Sequence, residues 1–374
     1  MNAAVIGAGA WGTALACQLS RNGHDTVLWF RSPEKAALAQ ETRINPRLKN
    51  AVLPPQLLCT ADPQCVRGCE LVVIAAPSFP IRSVCQTVAP YLDESAIMVS
   101  VTKGIEEGSL LRMSQIVAQE TSRPVVALSG PCHAEEVAIQ VPTGCLAACE
   151  NKALAEFVQD AFMSETFRVY TSPDAVGAEL GGALKNIIAL CAGVVTGLGY
   201  GDNTKAMLMT RGLTEMARLG VSMGARKETL AGLSGVGDLI VTCTSVHSRN
   251  RQAGILIGQG LSPQEAMAQV GAVVEGYYAT KSAWELCQRE GVEMPIVSAA
   301  YHVLYENADA RDVVQQLLTR RKKAEPEDLG WSRSKGRPLR YTAYSSTHRK
   351  CSRLPISTKM WNTECIHFFL LPMP

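Results

Sequence analysis

Lys185 lies inside the most apolar stretch of the chain, Leu180 to Leu198, between Gly182-Ala183-Leu184 and Ile187-Ile188-Ala189. An ammonium in such company is partly desolvated. Desolvation lowers its pKa, and a second cation nearby lowers it further. A lysine tuned toward neutrality can take a proton from an alcohol or give one to a ketone. That transfer must accompany hydride exchange between an alcohol and a nicotinamide. The competing reading is a lysine that snorkels, its stem packed and its head in water. Asp238 stands in Leu233-Ser234-Gly235-Val236-Gly237-Asp238-Leu239, where glycines make a tight turn able to present a carboxylate into a cleft. There it would orient a lysine and balance its charge; a turn aspartate bonding its own backbone is as common.

Thr242-Cys243-Thr244 and Ser248-Arg249-Asn250-Arg251 follow. Arg249 and Asn250 at a helix start offer a planar fork, an amide and free N–H groups, which together suit a phosphate monoester. The plainer reading is an ordinary basic first turn. Cations at the positive end of a helix dipole are slightly unfavourable, which favours the functional reading. Lys103, in Val101-Thr102-Lys103-Gly104-Ile105-Glu106, sits where a strand ends. It can reach a phosphate or carbonyl in the same cleft, or be a loop lysine. Glu275, in Val273-Val274-Glu275-Gly276, reads as a free surface side chain unless something places it.

These groups need a frame, and the N-terminus supplies one. Ala3 to Ile6 reads as a buried strand. Gly7-x-Gly9-x-x-Gly12 turns it into a helix running to about Arg21, stopped by Asn22-Gly23. Gly7 makes the turn, Gly9 lets backbone approach a pyrophosphate, and Gly12 lets helix pack on strand. Strand, turn and helix in this order predict a dinucleotide site. At the end of a second strand, Thr26 to Phe30, an acidic residue would hold a ribose 2′-hydroxyl; here stands Arg31. An arginine suits the 2′-phosphate of NADP or stacks on adenine; a solvated loop arginine is the alternative. Apolar runs at 70–77, 96–101, 124–129, 144–149 and 167–170 predict further strands, with a helix then a loop over 34–60 and a helix over 78–90. Strands alternating with helices predict a parallel sheet covered on both faces. Ligands bind off the carboxyl ends of such strands, where Gly7–Gly12, Pro77, Lys103 and Gly130 would meet. From Asp174 helix-length segments dominate to about Lys323. The 19 residues from Leu180 to Leu198 approach a membrane span, but Lys185, Asn186 and four glycines predict a buried core helix.

The 374 residues suit two domains: 1–172 for the dinucleotide and 173–326, all helical, for the substrate, with a tail at 327–374. A net charge of +2 gives no reason to expect nucleic acid. That total hides a split: residues 1–330 carry 28 basic against 33 acidic side chains, residues 331–374 eight against one. The cysteines are scattered through apolar runs, as small hydrophobes in a reducing compartment are. Cys65/Cys69 and Cys145/Cys149 lack histidines at zinc-finger spacing, so no metal is expected. With a strand starting at once, no leader is expected, and the chain reads as cytoplasmic.

The combination resembles bacterial-type NAD(P)-dependent glycerol-3-phosphate dehydrogenases. The likeness is carried by Gly-Ala-Gly-Ala-Trp-Gly-Thr-Ala at 7–14, the Lys103 and Lys185 segments, Gly235 to Leu239, Thr242 to Thr244, Ser248 to Arg251 and Val274-Glu275-Gly276, in order from residue 2 to about 323. The resemblance implies reversible reduction of dihydroxyacetone phosphate to sn-glycerol 3-phosphate with NAD or NADP, a product for phospholipid synthesis, and a homodimer. It implies a Rossmann-type α/β domain with a mostly parallel sheet, followed by an all-α domain. By position, Lys185 is the proton donor and acceptor, with Asp238 and Lys103 beside it. Lys103, Gly130, Cys132, Lys185, Asp238, Ser248, Arg249 and Asn250 line the substrate. Gly7, Gly9, Ala10, Trp11, Gly12, Arg31, Lys103, Gly130, Ala134, Arg249, Val273 and Glu275 serve the cofactor.

There are departures. The family commonly has serine at the position of Ala10, and Ser or Thr then Phe where this chain has Cys132-His133. Ala10 removes one phosphate hydrogen bond; His133 reads as a substituted packing position rather than an acid–base residue. Members end near Arg320 to Lys323. Beyond that the basic tail has no helix or strand pattern and is expected to be a disordered, non-family extension, not a membrane anchor. Two rival functions stay open. A non-catalytic NAD(P)-responsive binding protein would not need Lys185 and Asp238 together. A sibling hydroxy-acid dehydrogenase would lack the Ser248-Arg249-Asn250 cluster.

Overall fold

The computed structural model describes residues 1–48, 51–322 and 325; the expectation for the tail lies outside them. Residues 1–320 form one compact unit. Eight strands, β1 (Asn2–Ile6), β2 (Asp25–Trp29), β3 (Leu58–Thr60), β4 (Leu71–Ile74), β5 (Ile97–Ser100), β6 (Val125–Ser129), β7 (Thr143–Ala148) and β8 (Phe167–Ser172), make one sheet. Its order is β3-β2-β1-β4-β5-β6-β7-β8. The chain therefore reverses direction of growth at β1, where doubly wound sheets open a ligand crevice. Helices α1 (Ala10–Arg21), α2 (Pro33–Thr42), α3 (Ile81–Val88), α4 (Met113–Thr121), α5 (Ala134–Ala138) and α6 (Lys152–Phe162) link and cover the strands.

Local chemistry sets these elements. Ala3 to Ile6 and Leu71 to Ile74 are wholly buried, as strands covered on both faces must be. Ser32 caps α2 by accepting from Lys35 N at 3.2 Å, with Pro33 in the first turn. α1 runs from Ala10 to Arg21 and ends at Asn22, with Gly23 at φ +84°.

The sheet is mostly parallel, as expected, and two features refine it: an edge strand where a plain loop was expected before residue 60, and one antiparallel pair. Leu58 to Thr60 pairs with Val27 to Trp29 as an edge strand, too short for alternation to show. β7 runs antiparallel to β6, Leu128 opposite Ala147. The reason is length. The five residues of α5 rise only about 7.5 Å, too little to carry the chain back along a strand, so it returns from the same end. α6 has eleven residues, and β7 and β8 pair in parallel.

At Asp174, whose carboxylate accepts from Gly177 N at 2.8 Å, the chain becomes helical. α7 (Ala175–Gly197), α8 (Asp202–Ser222), α9 (Lys227–Leu230), α10 (Asp238–Thr244), α11 (Arg249–Gly258), α12 (Pro263–Val270), α13 (Glu275–Glu290), α14 (Pro295–Tyr305) and α15 (Ala310–Leu318) follow. α7 is the axis. Residues 177–190 and 192–195 are all buried. By length and composition it could cross a membrane, but it is the core helix of this lobe, its leucines and isoleucines packed on Met216, Leu219, Leu239 and Leu286. α11 lies so close that a Cβ on Gly254 would stand 2.0 Å from Leu190 O, and one on Gly193 would stand 2.2 Å from Arg251 O. That contact fixes the start of α11 relative to Lys185.

The lobes are bolted by buried polar groups. Glu179 of α7 accepts from Ser114 N and Ser114 Oγ, both at 2.7 Å, and from Arg112 at the start of α4. Such a carboxylate satisfies amides that a helix start leaves open.

Candidate active site

Lys185, Lys103 and Asp238 meet. Lys185 Nζ donates to Asp238 Oδ1 at 2.8 Å and to Thr242 Oγ1 at 2.6 Å. Lys103 Nζ donates to Asp238 Oδ2 at 2.6 Å and to Gly130 O at 2.9 Å. One carboxylate thus bridges two ammonium groups. Asp238 is 1% exposed and Lys185 6%, which answers the snorkelling reading: the lysine head is held inside.

Each group is placed by a different element. α7 carries Lys185. The loop after β5 carries Lys103, steadied by Thr102 Oγ1 donating to Ala76 O at 2.8 Å. Gly182 gives the Lys103 stem its passage over α7; a Cβ there would stand 3.3 Å from Lys103 Cγ. A π-type turn, Leu233–Gly237, delivers Asp238 to the first position of α10. One helical turn later Thr242 donates to Asp238 O at 2.6 Å, leaving its oxygen to accept from Lys185.

The charges follow from this packing. Burial drives the Lys185 pKa down, Lys103 adds to that and Asp238 opposes it, leaving it at about 8. Burial alone would raise Asp238, but the two ammonium groups outweigh it and hold the carboxyl below its usual range. The cluster is an ionised carboxylate shared by a charged lysine and one poised to release its proton.

The other expected residues fall into three groups. Ser248 caps α11, accepting from Arg251 N at 3.3 Å. Arg249 is exposed at the first position of that helix. Asn250 does structural duty: its Nδ2 donates to Asn186 Oδ1 at 2.9 Å and its Oδ1 accepts from Gly276 N at 2.8 Å. Glu275 is not the free surface side chain its local sequence suggests. It accepts from Ser78 N at 3.2 Å and Ser78 Oγ at 2.5 Å, joining the loop after β4 to α13, and burial raises its pKa. Val273 lies just before it. Cys132, half-buried, donates to Gly144 O at 3.7 Å. His133 makes no bond to Lys185. Its ring meets His247 edge-on at 6.0 Å between centroids, and burial lowers its pKa. Ala134 opens α5 and packs in the sheet core.

The glycine turn lies at the carboxyl end of β1, with Arg31, exposed, at that of neighbouring β2. Gly7 has φ +121°, and a Cβ there would stand 2.7 Å from Ala75 O. One on Gly12 would strike Gly7 O at 2.0 Å, whereas one on Gly9 meets nothing within 4 Å. The turn is therefore tight behind and open in front. No side chain caps α1, so the amides of Ala10, Trp11 and Gly12 are available to an anion. These residues fit a dinucleotide pyrophosphate. Among the described residues, no group of three His, Cys, Asp or Glu side chains could hold a metal ion.

Ser78 and Asn186 have no local sequence signal of their place in the site, and the segment of Thr242 points to chemistry without giving Thr242 a role. Thr242 carried a signal: it stands four residues after Asp238, on the same face of a helix.

Family models described as the N-terminus and the C-terminus of NAD-dependent glycerol-3-phosphate dehydrogenase match residues 2–155 and 174–315. A glycerol-3-phosphate dehydrogenase [NAD(P)+] of Thermoanaerobacter sp. is 50% identical over 326 residues, 87% of this chain and 99% of that protein. One from Pelotomaculum thermopropionicum is 51% identical over 332 residues, 87% of this chain and 95% of that protein. The crystal structure of glycerol-3-phosphate dehydrogenase from Coxiella burnetii superposes with a TM-score of 0.82 at 37% identity, covering 85% of this chain and 99% of that one.

Asp238→Asn is expected to leave two ammonium groups facing each other in a buried space, a loss of about 3–5 kcal/mol near neutral pH. Lys185 would then have a folded pKa still further below the unfolded value of about 10.4. Folded wild type and folded variant differ in protons bound only below the wild-type value of about 8, so the penalty should shrink as pH rises from about 6 to 8 and stay level above that. Denaturant midpoints across that range check this; a loss independent of pH would contradict it.

Proposed function

This chain belongs to the NAD-dependent glycerol-3-phosphate dehydrogenases and is an NAD(P)-dependent oxidoreductase reducing dihydroxyacetone phosphate; we propose that Lys185 carries its proton chemistry. The observation that supports this is the bridge Lys185–Asp238–Lys103, buried at the carboxyl ends of the strands that also carry the glycine turn.

The nicotinamide, when bound, supplies or takes up the hydride. Gly7, Gly9, Ala10, Trp11 and Gly12 would hold the pyrophosphate, with Arg31 toward the adenosine side and Lys103, Gly130, Ala134, Arg249, Val273 and Glu275 completing the site. Arg249, Ser248 and the first amides of α11 take the substrate phosphate, and Asn250 keeps that helix start in place. Lys185 gives its Nζ proton to the ketone oxygen in reduction and recovers it from the hydroxyl in oxidation. Lys103 and Asp238 orient it, and the positive charge of the two lysines favours oxygen as it gains negative charge. Cys132 lines the same pocket on the β6 side. The family resemblance supports three further parts of the reading: a homodimer, a cytoplasmic location and a product passed to glycerophospholipid synthesis. Sedimentation velocity reads the first; a species with the mass of one chain would exclude it.

Four outcomes test the assignments. Lys185→Ala should lower kcat by about 10²–10⁴ with substrate binding largely kept. In the wild type, reduction should slow as pH rises through about 8, because the donor must be protonated, and oxidation should speed up over the same range. Turnover near wild type in the variant would remove Lys185 from the mechanism. Arg249→Ala should mainly raise KM for dihydroxyacetone phosphate; an equal loss with unphosphorylated dihydroxyacetone would contradict the phosphate assignment. Arg31→Asp should raise KM for NADPH relative to NADH, and an unchanged ratio would show that Arg31 does not reach the 2′-phosphate.

A further inference from the structure

Cys132 and Cys145 approach each other where the chain leaves β6. Antiparallel pairing sets Ser129 opposite Leu146, so the segment after Ser129 runs past Cys145 and Gly144. Gly130 passes so near that a Cβ there would stand 2.9 Å from Cys145 Cα. Cys132 Sγ donates to the carbonyl of Gly144, the residue before Cys145, at 3.7 Å, and after burial itself the neighbouring Cys132 thiol helps to push the Cys145 thiol well above its usual pKa. Both are free thiols. Cys145 is 1% exposed, while Cys132 is half-buried. Lys103, with its Nζ 2.9 Å from Gly130 O, brings positive charge to the same corner. A partly accessible sulfur with a second, buried sulfur next to it across the strand end is the arrangement of a peroxide-reactive cysteine and its resolving partner.

We propose that Cys132 and Cys145 are a modification site, closing to a reversible disulfide under a hydroperoxide. Peroxide oxygen bonds to the Cys132 sulfur as the O–O bond breaks and water leaves, giving a sulfenic acid. The Cys145 sulfur attacks it; the S–S bond forms, the S–O bond breaks, and the departing hydroxide leaves as water with the Cys145 proton. Two thiols lose two electrons, and the peroxide gains them. A thiol reductant reverses the bond through a mixed disulfide. The kinetic consequence rests on the reading that Cys132 lines the substrate pocket: the cross-link turns its sulfur toward β7 and raises KM for dihydroxyacetone phosphate.

The test treats the full chain with hydrogen peroxide, traps remaining thiols by alkylation and reads intact mass, glutamyl-specific peptides and kinetics. Cleavage after Glu135 or Glu136 separates the two cysteines. The expected result is a loss of about 2 Da, a linked peptide pair holding Cys132 and Cys145, a KM raised about ten-fold, and recovery with dithiothreitol. Cys145→Ala should keep its basal activity, lose the linked pair and accumulate oxygen on Cys132 instead. Alkylation of both residues after treatment would overturn the proposal, as would a mass loss mapping to another pair such as Cys65 and Cys69. The linked pair with unchanged KM would support the disulfide and count against the substrate contact of Cys132.

Discussion

A single carboxylate, Asp238, lies between two ammonium groups in a space almost closed to water. At an effective dielectric constant near 20, each contact is worth about 4–5 kcal/mol of attraction, comparable with the several kcal/mol lost on burying each ion. One carboxylate can offset one lysine but not two. Burial is what lowers Lys185, with Lys103 adding to it, and the surplus positive charge suits a developing oxyanion. Remove Asp238 and the lysines repel; remove Lys103 and the remaining pair is neutral, with less reason for Lys185 to release its proton.

Much of the helical lobe serves to keep these three side chains at bonding distance. They come from a strand end, the middle of a core helix and the start of a seven-residue helix, so the lobes must not slide. Two buried carboxylates resist sliding: Glu179, held by Ser114 and Arg112, and Glu275, held by Ser78. Close backbone contact of α7 with α11 sets the start of that helix in the same way. The direction of information runs from glycine and small-residue packing, through helix position, to a proton affinity.

How much of this could be read from the chain depends on range. The glycine turn was legible because its demands are local: Gly7 and Gly12 have no room for a Cβ. Lys185 stood out because an ammonium in an apolar run needs a reason. Its bond to Asp238 spans 53 residues of sequence, which no spacing rule reaches; the family motifs, not the spacing, joined them. Glu275 was misjudged locally because Ser78, 197 residues away, holds it. The antiparallel β7 was hidden because its strand is as apolar as its parallel neighbours, and only the shortness of α5 betrays the reversal. β3, at three residues, has no pattern to read.

The most direct measurement is a side-chain NMR titration of Lys185, assigned by comparison with Lys185→Arg, in the wild type and in Asp238→Asn. The bridge predicts a wild-type midpoint near pH 8 and a lower one once the carboxylate is gone. A wild-type midpoint in the ordinary lysine range, or one that Asp238→Asn leaves in place, would contradict it.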